Sequence, residues 1–573
     1  MARANEIVEA LLTEYADLLS ITGGDPFRVR TYEKAARSVG GYHADVGTLD
    51  EAALQAISNV GGSTAKKIQE ILKAGTFRQL EELREQVPAG VRQLMAISTL
   101  GPKKAMTLYR DLHIASVEEL MDAIHEGRLR GVKGFGPKTE ENILRGIDLM
   151  QQAGDRVLLG VAMDLAEEIV GELSVIKGCS KCTYAGSLRR MAETIGDIDV
   201  LVASKTPRPV MDAFTNLSYV ERVIARGDTK ASIRTTKGLQ VDLRVIAPDV
   251  WGAALQYFTG SKAHNIRTRE IAVRKGLKLS EYGLFDASTE ELIVARTEEE
   301  VYERLGLPWI APTLREDRGE IEAARDGKLP KLVELKDIKG DLHTHTNLTD
   351  GLAPLEQMIA TARQRRYAYY AVTDHAPNLY MQRMTDEKML AQRDELRKLA
   401  RQGNMVLLHG TELNIDPEGN VDWEAGFLDD FDVCVASVHS HFNQSKDEMT
   451  RRIIRACENP HVNVIGHPTG RQIGGRAPLE FDFEEVFAAA ARTGTALEVN
   501  AFPDRLDLRD EHIMWAKRHG VKLAVDTDAH STVHLAFMRY GVGTAQRGWL
   551  TKEDVITAWP LSKLRKFLQK GRR

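Results

Sequence analysis

Beyond residue 340, six short apolar runs alternate with helical patterns: YAYYAVTDH, MVLLHGTEL, FDVCVASVHS, HVNVIGH, TALEVN and KLAVDTDAH. This rhythm predicts βα units that close into a barrel or line up in an open parallel sheet. Nearly every run ends in His, Asp or Glu, and βα folds place their active sites at the carboxyl ends of strands. The segment DLHTHTNLTDG adds His343 and His345, two apart and so on one face of a strand, with Asp350 in the loop that follows. Later strand ends supply His375, Glu412, His439, His467, Asp528 and His530. A lone histidine is more often a satisfied core residue, which is the reading for His113 and His461. Nine imidazoles and carboxylates at strand ends would leave many polar groups unpaired without a metal. Their mixed nitrogen and oxygen donors suit Zn²⁺ or Mn²⁺, and their number suits two or three ions.

A chain of 573 residues is longer than one hydrophobic core supports, so several domains are expected. From residue 1 to about 150 the apolar positions recur at helical spacing, as in IVEALLTEYADLL. Strand-like runs (CTYAG, IDVLVA, QVDLRVIA) begin after about 155, and a charged connector, LREDRGEIEAARDGKLPKLVELKD, separates them from the βα region. No apolar run reaches the roughly 18 residues of a membrane span and the N-terminus lacks a signal-peptide pattern, so a cytoplasmic location is expected. Four cysteines are too few for a disulfide framework, and the lone CxxC of Cys179 and Cys182 reads as structural. The net charge of -5 leaves nucleic-acid contact to local basic stretches, of which Arg222 to Lys237 and Lys262 to Lys278 are the two clearest.

A second site is written in TIGDIDVLV. Asp197 and Asp199 share one face of a strand whose other residues are apolar. Two acids so close repel unless a cation lies between them. Asp242 sits likewise among apolar neighbours in QVDLRVI, a natural adjacent strand. Three convergent acids suit a pair of Mg²⁺ ions in phosphoryl transfer. Upstream, in AGSLRRMAETIG, Gly186 and Ser187 open a turn whose free N–H groups, with Arg190, suit a triphosphate.

This constellation resembles the nucleotidyltransferase core of family X DNA polymerases, and the likeness continues through YFTGSKAHNIRTRE. The resemblance implies that Asp197 and Asp199 bind both metals, Mg²⁺ or Mn²⁺, and that Asp242 binds the catalytic one beside the primer 3′ hydroxyl. It assigns Ser187, Arg190 and Gly196 to the triphosphate, and Tyr257, Phe258 and Gly260 to the sugar. Asn265 matches the minor-groove contact to the incoming base and Arg269 the contact to the template strand. Gln240 departs from the arginine that relatives often carry two residues before the third acid.

Between two helices, a Gly-apolar-Gly hairpin lets backbone N–H groups reach a DNA phosphate without reading sequence. GVKGFGPKTEENI fits fully with Gly134, Gly136 and Lys138; NVGGSTAKKI has Asn59 at the first glycine and STLGPKKA has Thr99 there. Asparagine tolerates positive φ and threonine does not, so the middle hairpin is the weakest. The N-terminal region also resembles the small lyase domain of the same family. That likeness places Lys67 at the Schiff-base lysine, with Lys66 beside it to depress its pKa. A helix lysine is usually just solvated, and both readings of Lys67 stand at this point.

The C-terminal third resembles the polymerase and histidinol phosphatase (PHP) domain, a metal-dependent phosphoesterase with a distorted (β/α)₇ barrel. All nine ligand positions are filled, Thr349 replaces a common serine that touches no metal, and Arg471 in GHPTGR suits a phosphate, although a loop arginine is more often merely exposed. The order of the two resemblances matches bacterial family X DNA polymerases. It implies a lyase-like helical domain over 1–85, helix-hairpin-helix fingers over 86–150, an α+β nucleotidyltransferase palm over 151–245 and a thumb over 246–315. A linker over 316–340 and the PHP domain over 341–573 follow. The implied activity is short-gap filling in base excision repair, by a monomer acting on gapped or primer-template DNA with deoxynucleoside triphosphates, joined by 3′–5′ exonuclease and abasic-site lyase chemistry. Three rivals remain: a small-substrate nucleotidyltransferase, a DNA-binding scaffold with a relic barrel, and a fused phosphatase for small esters.

Overall fold

The computed structural model describes residues 4–42, 44–95, 97, 100–153 and 156–570. Helix α1, Ala4–Ile21, buries Val8, Leu12, Tyr15 and Leu19, a stripe at helical spacing. Helix α2, Pro26–Gly40, starts at Asp25, whose carboxylate accepts from the Phe27 N–H at 3.0 Å. Tyr15 of α1 meets Tyr32 of α2 and Phe77 edge-on, with centroids 4.8 and 5.0 Å apart. Two hairpins lead into helices α3, Gly62–Ala74, and α4, Pro137–Ala153. Asn59 adopts φ 62° in the first, as its short polar side chain permits, and Gly134 adopts φ 92° in the last. Thr99 of the middle hairpin lies outside the described residues.

The central domain carries a five-stranded sheet of β1 (Lys181–Tyr184), β2 (Asp197–Ala203), β3 (Val220–Arg226), β4 (Lys230–Thr235) and β5 (Gln240–Ile246), in the order β1-β2-β5-β4-β3. Only β2 and β5 run parallel. Between β1 and β2 lies the single turn α5, Gly186–Arg189. Helices α6, Trp251–Thr259, and α7, Lys262–Arg274, then lead to a three-stranded antiparallel sheet.

The charged connector is structured rather than a free linker. It contains helix α8, Glu320–Arg325, and its Ile321 and Ala324 join the core that also buries Ala253 and Leu305. Glu320 is fully buried because His264 meets its carboxylate at 2.7 Å and the Asp317 and Arg318 N–H groups donate to it. Burial of a charge this well partnered is tolerated, and charge density alone does not reveal it.

Seven parallel strands form the last domain in sequential order: β6 (Gly340–Asp341), β7 (Tyr369–Val372), β8 (Val406–Asn414), β9 (Val433–Ser437), β10 (Val464–Ile465), β11 (Ala496–Asn500) and β12 (Leu523–Asp526). A parallel bridge from Thr344 to Ala529, and a 2.8 Å bond from the Leu342 N–H to Asp526, bring the first strand against the last. The outcome is a nearly closed (β/α)₇ barrel. No helix among the described residues is long and apolar enough to cross a membrane.

Candidate active sites

Register decides the first site. Pairing of β2 with β5 sets Asp199 directly opposite Asp242 and Asp197 opposite Gln240, while Ile198, Val200 and Val202 are buried on the other face. Burial pushes the Asp199 carboxyl up to about 7, and the charges of Asp197 and Asp242 add to that, against a smaller pull from Arg190 and Arg244. Such crowding of carboxylates fits divalent cations. Gln240 donates to Asp242 at 3.1 Å, so the residue that departs from the family pattern orients the third acid.

Glycine at 186 is required twice over. Its φ is 59°, and a Cβ there would lie 2.3 Å from Asp199 Oδ2. Gly186→Ala is therefore expected to displace that carboxylate and slow primer extension about 100-fold, roughly 3 kcal/mol, with little change in nuclease rate. Single-turnover extension beside end-shortening measures the split. Ser187 lies in α5 and Gly196 immediately before β2, both half-buried near these acids.

The other residues expected at the nucleotide gather at the start of α7. Asn265 donates to the Tyr257 carbonyl at 2.7 Å and accepts from Gln256 at 2.9 Å, and Arg269 donates to the Asn265 carbonyl at 3.1 Å. Tyr257 and Phe258 are edge-on to each other at 5.2 Å, and Arg244 lies 5.4 Å over the Phe258 ring. A Cβ on Gly260 would lie 3.2 Å from Arg190. Arg190 is not free here: it donates to the Thr259 carbonyl at 2.7 Å and to Glu316 at 3.0 Å. Arg547, from the barrel domain, donates to the same Glu316 oxygen at 2.7 Å and to the Arg190 carbonyl at 2.9 Å.

All nine barrel residues converge around Glu412. Five imidazoles approach its carboxylate: His375 and His467 at 3.0 Å, His439 at 3.1 Å, His343 at 3.4 Å and His345 at 3.5 Å. Asp350 meets His375 at 3.3 Å and His530 at 3.5 Å, and Asp528 meets His345 at 3.3 Å. Three groups have ligand atoms close enough to share an ion: His345, Asp350, His375 and His530; His343, His345 and Asp528; and His375, Glu412 and His439. Burial opposes the charge on Glu412, but the neighbouring imidazoles of His439, His375 and His343 outweigh it and hold the carboxyl well below its usual range. Burial keeps His467 down at about 3, a neutral ring able to ligate. The buried His343 Nε2, both His345 nitrogens and Asp350 Oδ1 have no hydrogen-bond partner, as donors suited to a metal would not.

Several supporting residues escape sequence reading. Glu498, buried mid-strand in TALEVN, accepts from His343 Nδ1 at 2.7 Å and so aims Nε2 at the cluster. An acid inside an apolar strand is the same signal that marks Asp199. Asn414 orients His439 at 2.8 Å. Asp374 accepts from Thr349, giving that residue a supporting contact. Arg471 is a correction: it donates to Glu193 at 2.7 Å and to the Arg505 and Leu506 carbonyls, so its charge joins barrel to palm instead of facing a phosphate. Arg505 faces the cluster, with Nε 3.6 Å from Asp528 and a buried Nη1 that lacks a partner.

In the N-terminal domain, Phe135 is buried while Gly134, Gly136 and Lys138 stay exposed, with open space beside both glycines at the start of α4. Lys67 is buried on α3, 3.3 Å from Ser63 Oγ and over the rings of Tyr32 and Phe77 at 5.7 and 6.0 Å. Lys66 points elsewhere into solvent, since consecutive helix positions diverge by about 100°. His461 is a satisfied buried residue, 2.9 Å from Asp429, and His113 closes a helix in the left-handed conformation. Burial raises the Cys182 thiol to about 12, which suits a structural role.

Comparison with known proteins agrees with this geometry. Residues 3–77 match a helix-hairpin-helix domain family, 91–148 a SAM-like helix-hairpin-helix tandem, 254–316 the DNA polymerase beta thumb and 341–500 the PHP domain. The DNA polymerase/3'-5' exonuclease PolX of Bacillus subtilis (strain 168) is 36% identical over 565 residues, 98% of each chain. A probable phosphatase of Thermoanaerobacter sp. (strain X514) is 28% identical over 41% of this chain and 95% of its own length. DNA polymerase lambda of Rattus norvegicus is 25% identical over 51% of this chain and 53% of its own.

Proposed function

The chain belongs to the bacterial family X DNA polymerases that carry a PHP domain, and from that premise we propose that it fills short gaps during DNA repair while the barrel trims 3′ ends. It is a DNA polymerase with a PHP-associated nuclease activity, and DNA and deoxynucleoside triphosphates are its substrates. Both catalytic families are metal-dependent. The observation that carries the polymerase reading is the parallel pairing that sets Asp199 opposite Asp242, with Asp197 on the same face.

In this reading Asp197, Asp199 and Asp242 hold Mg²⁺ or Mn²⁺, and the barrel's nine residues hold two or three Mn²⁺ or Zn²⁺. Bound at such sites, divalent ions neutralise developing phosphate charge and lower the pKa of water from 15.7 toward about 7. Gln240 fixes the Asp242 carboxylate toward the primer terminus, where the 3′ hydroxyl gives its proton to water, its oxygen bonds to the α-phosphorus and diphosphate leaves. Ser187, Gly186, Gly196 and Arg190 bind the triphosphate, so its arrival draws Arg190 away from Glu316. Tyr257, Phe258 and Gly260 lie along the sugar, with Asn265 and Arg269 at the base and template. Gly134, Gly136 and Lys138 hold a DNA phosphate through open backbone at the start of α4. Domain limits near 85, 150, 245, 315 and 340, a monomeric state and a cytoplasmic location complete the proposal.

Gap preference is tested by extending one primer on a short gap with a 5′ phosphate and on open template; faster extension on the gap is expected, and equal rates overturn the preference. For the lyase, borohydride is expected to trap the protein on DNA bearing a 5′ abasic sugar, with roughly tenfold less trapping for Lys67→Ala. Equal trapping removes Lys67 from that role.

A further inference from the structure

A cavity of about 1290 Å³ lies against the barrel's cluster of imidazoles and carboxylates, and its walls come chiefly from two ends of the chain, with Asp164 of the central domain beside them. On one side are Asp350, Asp528 and His530; on the other are residues of α1 and α2, among them Glu9 and Arg37. Contact between the two is close. A Cβ on Gly41, just past α2, would lie 2.9 Å from Leu352 and 3.2 Å from Ser531, residues beside Asp350 and His530. Lys237 of the central domain ties α1 in place through Glu6 at 2.8 Å.

The barrel wall of this cavity carries aromatic rings. His534 stacks on Phe537 with centroids 5.0 Å apart, and Phe502 stands edge-on to both, at 4.9 and 5.2 Å. These rings are fixed to the cluster itself. Asn500 accepts from the Phe502 N–H at 3.0 Å and donates to Asp528 at 3.0 Å, while His534 Nδ1 accepts from the His530 N–H at 3.2 Å. Arg505 lines the same cavity with its unpartnered Nη1.

Size, rings and arginine argue together. Pockets of roughly 300–1,000 Å³ enclose a drug-sized ligand, so this space exceeds the needs of one small phosphate ester. Aromatic faces bind nucleobases irrespective of sequence, but only bases not already stacked and paired in a duplex. A buried guanidinium with a free donor suits a phosphate oxygen. Resting on the nuclease reading above, we infer that the Phe502, His534 and Phe537 rings, with Arg505, position the 3′-terminal nucleotide of the strand that the barrel trims. The last base stacks on the Phe502, His534 and Phe537 rings, the terminal phosphodiester lies beside Arg505, and α1 with α2 closes the far side.

The test uses the full-length protein and single-stranded oligonucleotides that end either in a normal 3′ nucleotide or in a tetrahydrofuran abasic analogue. Phe502→Ala is expected to lower kcat/KM for the normal end about 5- to 150-fold, the range for one lost base stack. For the abasic end, wild type and variant should converge, and Phe502→Tyr should restore turnover on the normal end. Manganese content of the variant, measured alongside, is expected to match wild type. An equal loss on both ends, or no loss on either, overturns the inference. A separate readout needs no turnover: 2-aminopurine at the 3′ end, behind a phosphorothioate linkage, should change fluorescence on binding wild type and Phe502→Tyr but not Phe502→Ala. If wild type shortens neither oligonucleotide, the nuclease reading fails, and this signal still decides whether the strand end sits on Phe502: its loss in Phe502→Ala supports the seat, and its persistence there overturns it.

Discussion

Asp199→Ala is expected to extend a primer about 10³-fold more slowly than wild type and to shorten 3′ ends at the wild-type rate. Asp199 is the acid most enclosed by its peers, faced by Asp242 across the parallel pairing and by Asp197 on its own strand. In the proposed reading this removes a carboxylate that would hold the catalytic cations, a loss of roughly 4 kcal/mol of transition-state stabilisation. The fold should tolerate the change, because it relieves a burial cost and two repulsions. Single-turnover extension checks the rate, and a melting temperature at or above wild type checks the relief. Extension within tenfold of wild type would show that the three acids do not act together.

The second large effect is the converse. Glu412→Gln keeps the shape of the side chain but removes the charge that five imidazoles surround. Bound manganese should fall by at least about one ion per chain, and end-shortening should drop about 10³-fold, again roughly 4 kcal/mol, with extension intact. Metal analysis of the dialysed protein beside a nuclease assay measures both. Mn²⁺ should support the barrel reaction better than Mg²⁺, which prefers oxygen donors to imidazole.

What was legible in the sequence has a common cause: a period that one element imposes by itself. Asp197 and Asp199 could be placed on one face because strand side chains alternate, and the nine barrel residues could be brought to one end because βα strands end on one side. Asn59 could be assigned a positive φ from its side chain alone. What escaped depends on the fold bringing distant residues together. Glu316 meets Arg547 across 231 positions of sequence, and Arg471 meets Glu193 across 278. Neither pairing leaves a local pattern, so Arg471 reads as a free phosphate ligand and the stretch around Glu316 as a spacer. Glu498 is the instructive miss, for it carried the same mark as Asp199, an acid within an apolar strand, and it accepts from a histidine.

The claim that one chain holds two independent metal-dependent sites is tested most directly on a single substrate. A 5′-labelled primer on gapped DNA is incubated with Mn²⁺, with and without deoxynucleoside triphosphates, and resolved by length for wild type, Asp199→Ala and Glu412→Gln. Wild type should lengthen the primer with nucleotides and shorten it without them. Asp199→Ala should only shorten it, and Glu412→Gln should only lengthen it. Loss of both reactions in either variant, or shortening that persists in Glu412→Gln, would contradict the assignment of synthesis to the paired strands and of trimming to the barrel.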